Sequence, residues 1–228
     1  MNVFGVIGGL GPKATSKFYL DTIRKYLKKC ERYPQILVDN VSFPRKLEQE
    51  IIQNCRNENE MLPYLMKSVR RLNKAGADFL VMPCNTLHIF IEDLRRESRV
   101  PVLSIIDETI RLIKQNKYKK IGLLATSKTV ESDLFENGIE LILPDEEEQN
   151  EISGIELRIL KHQVTEKDRN FMDKIIVKLS KRGSDAIIIG CTDLYQVINF
   201  KDREFDIIDT LEILINSSFE RMMRGESK

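Results

Sequence analysis

Two of the four cysteines, Cys84 and Cys191, occupy matching positions in two similar segments of this 228-residue chain. In each segment a glycine, Gly76 or Gly183, is followed by an aspartate two residues later, then by an apolar run and the cysteine. Such a repeat predicts two related half-molecules, each with one thiol at the end of a buried strand. If the halves face each other, the thiols lie on opposite sides of one cleft. That geometry would allow a proton to be removed from one face of a carbon and returned to the other.

The surroundings of the thiols suggest how they could be activated. Cys84 comes shortly before a predicted helix, and a helix amino terminus stabilises a thiolate and lowers its pKa. Cys30 and Cys55 lack this setting and are assigned no role.

His88, four residues after Cys84, could act as a base in a Cys–His hydrolase. Because no partner carboxylate is visible for it, a structural role for His88 and a two-thiol mechanism are favoured.

Polar side chains follow both cysteines. Asn85 and Thr86 come after the first cysteine, and Thr192 comes after the second. Their amide and hydroxyl groups could hold a carboxylate or could cap helices. Both roles can be filled at once, because an anion bound at a helix start uses the same donors.

A glycine-rich stretch near the amino terminus supports a different hypothesis. Residues 9–14 (GLGPKA) follow a predicted strand and fit the loose G-x-G-x-x-G/A pattern of dinucleotide-binding turns. Asp39 ends the next predicted strand, where a ribose-binding acid could lie. This hypothesis leaves the paired cysteines unexplained, so the two-thiol hypothesis is preferred.

Composition restricts the ligands and the location. The 36 lysines and arginines balance 35 aspartates and glutamates, so small neutral or zwitterionic ligands fit better than nucleic acid or an anionic membrane. No apolar run reaches the length of a membrane span. Near the amino terminus, glycines and Pro12 interrupt the continuous apolar stretch that a signal sequence needs, so a cytoplasmic protein is predicted. With no CxxC pair and only two histidines, neither a metal site nor a disulfide framework is expected.

The hydrophobic pattern predicts an α/β fold in which strands alternate with helices, so that each half forms a lobe with a parallel sheet flanked by helices. The predicted strands are 3–7, 36–41, 79–82, 102–106 (ending before Asp107), 120–126, 186–189 and 205–209, and the predicted helices include 14–27, 61–74 and 88–96. The first lobe is expected to cover residues 1–107 and the second 108–209, with helix 210–228 free to pack back on the first. Ligands bind beyond the carboxyl ends of such strands, where Cys84, Thr126 and Cys191 fall.

The chain resembles the aspartate/glutamate racemase family, which uses no pyridoxal cofactor. The resemblance rests on the segments GGLGPKAT (8–15), MPCNTLH (82–88), GLLAT (122–126) and GCT (190–192). It implies two lobes related by a pseudo-twofold axis, an active site in the cleft between them, and a homodimer. It also implies that Cys191 acts on the L-enantiomer and Cys84 on the D-enantiomer, without a cofactor. The implied substrate-binding residues are Leu10, Arg45 (or Lys46), Asn85, Thr86, Thr126, Lys161 and Thr192, with the basic residues on the side-chain carboxylate.

The expected function is therefore interconversion of L- and D-aspartate, with glutamate second, by two-base proton transfer. Asp193 departs from the family pattern, which has Glu in aspartate-type and His in glutamate-type members, and residues 129–138 are shorter than the family norm. Two alternatives stay open. One is a related isomerase or decarboxylase that needs a single thiol, and the other is a protein that binds acidic amino acids without turning them over.

Overall fold

The computed structural model describes residues 2–200 and 204–224. These residues form two four-stranded parallel sheets flanked by helices, which confirms the predicted two-lobe α/β fold. The strand order is β2-β1-β3-β4 in the first sheet and β6-β5-β7-β8 in the second, so both lobes share one topology. The strands are β1 (Phe4–Gly8), β2 (Ile36–Asn40), β3 (Phe79–Val81), β4 (Val102–Leu103), β5 (Lys120–Leu124), β6 (Glu140–Ile142), β7 (Ala186–Ile189) and β8 (Asp206–Asp209).

Helices connect the strands in both lobes. They are α1 (Pro12–Leu27), α2 (Arg45–Asn54), α3 (Leu62–Lys74), α4 (Ile91–Glu97), α5 (Ile105–Gln115), α6 (Ser127–Glu131), α7 (Glu146–Leu160), α8 (Glu166–Lys181) and α9 (Thr210–Arg224), with 3₁₀ helices at Glu58–Met61, Thr86–Phe90 and Leu194–Gln196. Helix α9 contacts both α1 and α5. The last part of the predicted carboxyl-terminal helix, 225–228, lies outside the described residues.

The central strands of both sheets are buried. β1, β3 and β7 are buried along their whole length, as expected for parallel strands covered by helices on both faces. One hydrophobic cluster contains side chains from both sheets, among them Phe4, Val81, Ile121 and Ile188. Each lobe also has a cluster of its own. The lobes are therefore joined through a common core.

Several predicted limits differ from the structure by one or two residues, and two predicted elements differ more substantially. The strand predicted over 102–106 ends at Leu103, because the hydroxyl of Ser104 accepts a hydrogen bond from the backbone N–H of Asp107 at 3.1 Å and so caps α5. Asp107 lies in the first turn of that helix instead of following a strand. In the second lobe Asp209 is the last residue of its strand, β8, and its carboxylate accepts a hydrogen bond from the N–H of Leu211 at 2.9 Å. The helix predicted over 88–96 begins as a 3₁₀ helix and becomes α4 only at Ile91.

Candidate active site

A cavity of about 70 Å³ lies between the two lobes, beyond the carboxyl ends of β1, β3, β5 and β7. Cys84 reaches it from the loop after β3 and Cys191 from the equivalent loop after β7. A small ligand in this cavity would lie between the two thiols. Seven of the predicted site residues line it: Leu10, Cys84, Asn85, Thr86, Thr126, Cys191 and Thr192.

Both thiols are weaker acids than their position at a helix start would suggest. Burial raises the pKa of Cys84 to about 12, although two backbone N–H groups of the following 3₁₀ helix oppose the change. Burial also raises the pKa of Cys191 well above its ordinary range, and the nearby carboxyl groups of Glu156 and Asp193 raise it further. The expected lowering of the thiol pKa is therefore wrong for this structure, because the loss of hydration outweighs the helix start.

Three threonine hydroxyls form a ring beside the cavity. The Oγ1 atoms of Thr86 and Thr126 are 3.0 Å apart, those of Thr126 and Thr129 are 2.8 Å apart, and Thr129 donates to Thr86 at 3.0 Å. Thr126 also caps α6 by accepting a hydrogen bond from the N–H of Thr129 at 3.1 Å. The ring joins the Cys84 loop of the first lobe to the start of a helix in the second. With Thr129 donating to Thr86, all three hydroxyl protons are used within the ring, so a carboxylate entering the cavity could accept from Thr86 or Thr126 only if that hydroxyl turns its proton away from the ring.

The two cysteine loops are also tied directly to each other's lobe. Thr192 donates its hydroxyl proton to the carbonyl of Pro83 at 3.2 Å. The amide nitrogen of Asn85 donates to the hydroxyl of Thr210 at 2.9 Å, and that hydroxyl donates to the carbonyl of Ile189 at 2.9 Å. Because Thr210 uses its proton on Ile189, it must accept from Asn85, which fixes the orientation of the amide. Among the described residues, the buried Oδ1 atom of Asn85 has no hydrogen-bond partner.

His88 holds the Cys84 loop in place. Its Nδ1 lies 2.6 Å from the carbonyl oxygen of Cys84, and its Nε2 accepts a hydrogen bond from the N–H of Ile105 at 3.2 Å. These partners require a neutral ring with the proton on Nδ1, and burial lowers the pKa of His88 to about 4. Both ring nitrogens are occupied, which supports a structural role over that of a base.

Acidic side chains surround the thiols, and this feature was missed by the sequence analysis except for Asp193. Glu48 on α2 and Asp193 line the cavity, and Glu156 on α7 is buried beside Cys191. Burial raises the pKa of Glu48 to about 7, that of Asp193 to about 6 and that of Glu156 to about 8. No local sequence signal places Glu48 and Glu156 here, because they lie on helices far apart in the chain.

The predicted basic residues lie outside this cavity. Arg45 is exposed, lines an adjoining cavity and donates a hydrogen bond to the carbonyl of Leu160 at 3.4 Å. Lys161 follows α7 and is exposed, and Lys46 forms an ion pair with Glu50 at 3.6 Å. Among the described residues, no lysine or arginine lines the cavity between the thiols.

The glycine-rich turn after β1 faces the second lobe. A side-chain carbon added at Gly11 would lie 1.9 Å from a carboxylate oxygen of Asp193, so a larger residue there would require the Asp193 side chain to move. Asp39, the acid of the dinucleotide hypothesis, forms an ion pair with Arg71 at 3.1 Å. Leu10 and Gly11 line the cavity that holds the thiols. The turn therefore contributes to the candidate active site.

The four cysteines are free thiols. Within residues 2–200 and 204–224, no group of three or more His, Cys, Asp or Glu side chains is arranged to hold a metal ion. None of the helices in these residues has the length and apolar character that crossing a membrane requires.

Comparisons with known proteins agree with this architecture. The family model described as Asp/Glu/Hydantoin racemase matches residues 7–217. The broad specificity amino-acid racemase RacX of Bacillus subtilis is 28% identical over 236 residues, covering 99% of this chain and 100% of that protein. An aspartate racemase homologue from Pyrococcus horikoshii has a TM-score of 0.78 at 28% identity, covering 96% of this chain and 98% of its own. The aspartate racemase of Picrophilus torridus, 22% identical with a TM-score of 0.78, shares the fold. This chain belongs to the Asp/Glu/Hydantoin racemase family.

Proposed function

We propose that this protein racemises a free amino acid, with Cys84 and Cys191 as the two catalytic bases and no cofactor. The observation that carries the proposal is that the thiols line one cavity from equivalent loops of two sheets with the same topology. Family membership supports racemisation as the reaction type. The family resemblance adds the assignment of Cys191 to the L-enantiomer and Cys84 to the D-enantiomer.

In the proposed reaction one cysteine enters as a thiolate and the other as a thiol. The thiolate takes the α-proton and becomes a thiol, and the electron pair of the broken bond stays on the substrate as a carbanion or enolate. The opposite thiol then donates its proton to the other face and becomes the thiolate. The reverse reaction exchanges the two roles.

The substrate itself would help to form the thiolate. An α-ammonium group between the cysteines would favour their charged form and offset the burial that raises the pKa of both thiols. The unused Oδ1 acceptor of Asn85 is suited to such an N–H donor. On binding, the hydroxyls of Thr86 and Thr126 would turn their protons from the threonine ring to the α-carboxylate and stabilise the charge that develops on it.

The choice of amino acid is a separate question. The resemblance predicts aspartate before glutamate, and one similar structure is named an aspartate racemase homologue, whereas RacX is named a broad specificity racemase. An acidic side chain would need a cation, but Arg45 and Lys161 lie outside the cavity. The homodimer implied by the resemblance stays a prediction, which light scattering in solution would test.

The first experiment is α-proton exchange in deuterated water under reducing conditions, with chiral analysis of the products. A panel of L- and D-amino acids with acidic, neutral and basic side chains is offered to wild type, Cys84→Ala, Cys191→Ala and Cys30→Ala. We expect wild type and Cys30→Ala to invert at least one amino acid. Cys84→Ala and Cys191→Ala should each have a racemisation rate about 10²–10⁴-fold lower than wild type, which is the usual contribution of a general acid or base.

The same experiment separates the alternatives. Racemisation that survives in either Cys84→Ala or Cys191→Ala would contradict the two-base mechanism and favour chemistry that uses a single thiol. If no amino acid in the panel exchanges its α-proton, the proposed function is wrong. Calorimetric binding without exchange would then favour a binding protein.

A further inference from the structure

One buried hydroxyl links the two cysteine loops from outside the cavity. Thr210 begins α9, is fully buried and is not one of the residues that line the cavity of the thiols. Its Oγ1 donates to the carbonyl of Ile189 at 2.9 Å and accepts from the side-chain amide of Asn85 at 2.9 Å. Ile189 ends β7 two residues before Cys191, and Asn85 directly follows Cys84. The hydroxyl therefore connects both segments that carry a thiol.

The fold itself does not require a hydroxyl at this position. Leu103 and Ile208 each pair with the residue that lies three positions before a cysteine (84 − 81 = 191 − 188 = 3). Two positions later, α5 begins at Ile105 and α9 begins at Thr210. The first lobe starts the equivalent helix with an isoleucine, so the hydroxyl of Thr210 is not explained by the need to start a helix there.

The two equivalent helix starts hold one and the same loop. The backbone N–H of Ile105 donates to Nε2 of His88, whose Nδ1 contacts the carbonyl oxygen of Cys84. Thr210 holds the side chain of Asn85, the next residue of that loop. Of these two contacts with the helix starts, only the second is made by a side-chain hydroxyl, so a substitution can remove it and leave the backbone contact in place.

The hydroxyl of Thr210 selects one orientation of the Asn85 amide. Thr210 uses its only hydroxyl proton on Ile189, so it can face the NH₂ group of Asn85 but not the amide oxygen. In this orientation the Oδ1 atom of Asn85 has no hydrogen-bond partner among the described residues, although Asn85 is 2% exposed and lines the cavity. Buried acceptors normally have partners, so this one is available to a ligand.

We propose that Thr210 is a positioning residue that keeps the Oδ1 atom of Asn85 available to the α-ammonium group of the substrate. This inference rests on the proposed racemase function and adds to it a residue that does not touch the substrate. Without the hydroxyl, the amide could turn and direct its NH₂ group at the ammonium, where a donor would meet a donor. The loss would then fall on recognition through Asn85 and leave both thiols in place.

The test measures kcat/KM for α-proton exchange with the amino acid that wild type exchanges fastest. Thr210→Val removes the hydroxyl and nearly keeps the side-chain volume, whereas Thr210→Ser keeps the hydroxyl. We expect kcat/KM to fall about tenfold or more in Thr210→Val, as for the loss of a hydrogen bond to a charged group. In Thr210→Ser the fall should be less than about threefold, because the amide is still oriented.

A matched control lies on α1. Thr22 is also fully buried, and its hydroxyl donates to a backbone carbonyl, that of Phe18, at 2.7 Å. Thr22→Val makes the same chemical change without touching Asn85. Its kcat/KM should stay within about threefold of wild type, which is smaller than the change expected for a lost charged hydrogen bond.

A double-mutant cycle separates positioning from a merely structural effect. In Asn85→Ala there is no amide to orient, so adding Thr210→Val should lower kcat/KM by less than about threefold. The same comparison, made with substrate affinities from calorimetry, does not depend on turnover. An equal loss in both backgrounds would overturn this inference and leave the racemase function intact.

Other outcomes of the same measurements also decide. A Thr210→Ser variant as slow as Thr210→Val would overturn the inference. So would a Thr210→Val variant that shows no cooperative urea transition, because the hydroxyl would then be needed for the fold. If wild type exchanges no amino acid, the proposed function itself is contradicted.

Discussion

At the residue scale, burial controls the ionisation of the candidate site. Glu156 is a buried carboxyl group next to the thiol of Cys191, and its hydrogen bond with that thiol only partly opposes the effect of burial on its pKa. Burial, aided by Asp193, raises its pKa from 4.5 to about 8. The group is therefore held in its neutral form between pH 4.5 and about 8, where the same carboxyl group in the unfolded chain would be ionised.

This ionisation gives a dependence of stability on pH. Because the pKa of Glu156 is higher in the folded state, its contribution to stability is fully present below pH 4.5 and is lost as pH rises through about 8. Glu156→Gln has no carboxyl group to ionise at this position, so the variant does not lose this stability as pH rises. We expect the free energy of unfolding of the variant, relative to wild type, to increase by roughly 2 kcal/mol or more between pH 5 and pH 8.

Urea unfolding at several pH values between 5 and 8 would measure this difference. Glu151→Gln serves as a control, because Glu151 is on the same helix but forms an exposed ion pair with Arg158 at 2.5 Å. The free energy of unfolding of Glu151→Gln should change with pH in the same way as that of wild type. A constant difference between Glu156→Gln and wild type over this range would show that Glu156 is ionised in the folded protein.

At the scale of elements, short helices and loops are positioned by side-chain hydroxyls. Helix α6 has only five residues, so its backbone hydrogen bonds alone stabilise it little. Thr126 caps it and simultaneously joins it to Thr86 of the first lobe. The start of α6 is thus fixed by a contact that crosses the cleft.

Removing this hydroxyl should destabilise the protein. We expect Thr126→Ala to lower the free energy of unfolding by about 1–2 kcal/mol, because it loses the helix cap and leaves two buried hydroxyls with fewer partners. Thr126→Ser keeps the hydroxyl and should lose less than half as much. Urea unfolding of both variants would check this. Equal losses would mean that the methyl group, and not the hydroxyl, is responsible.

At the scale of the whole molecule, the two lobes are connected by more than the chain. They share a hydrophobic cluster, and Lys128 of the second lobe forms an ion pair with Glu58 of the first at 2.6 Å. Asn85 and Thr192 add hydrogen bonds between the cysteine loops and the opposite lobe. The relative position of the two thiols therefore depends on both lobes being folded.

This common core predicts cooperative unfolding. We expect one calorimetric transition for the whole chain, with a van't Hoff enthalpy close to the measured enthalpy. Separate transitions for the two halves would contradict the idea that the cluster around Phe4, Ile121 and Ile188 couples them. Differential scanning calorimetry under reducing conditions would decide between these outcomes.

The sequence by itself determined the α/β class, most of the strands, the pairing of Cys84 with Cys191 and the family. These features are local patterns in the sequence. They are apolar runs of strand length, glycine-rich turns, and a repeat whose glycine, aspartate and cysteine keep the same spacing in both halves. Where two local signals competed, as at Ser104, a helix cap ended a strand that hydrophobicity alone would have extended to Ile106. Seven predicted site residues line one cavity because parallel strands bring their carboxyl ends to the same edge.

Only the tertiary structure decided the charge and the hydrogen bonding of that cavity. Glu48 and Glu156 reach the thiols from helices distant in sequence, and Arg45 and Lys161, predicted from resemblance, lie outside it. The direction of the thiol pKa shift also followed from burial, which no local pattern reports. The physical reason is that electrostatics and solvation depend on distances between all neighbouring groups, whereas sequence patterns describe only neighbours along the chain.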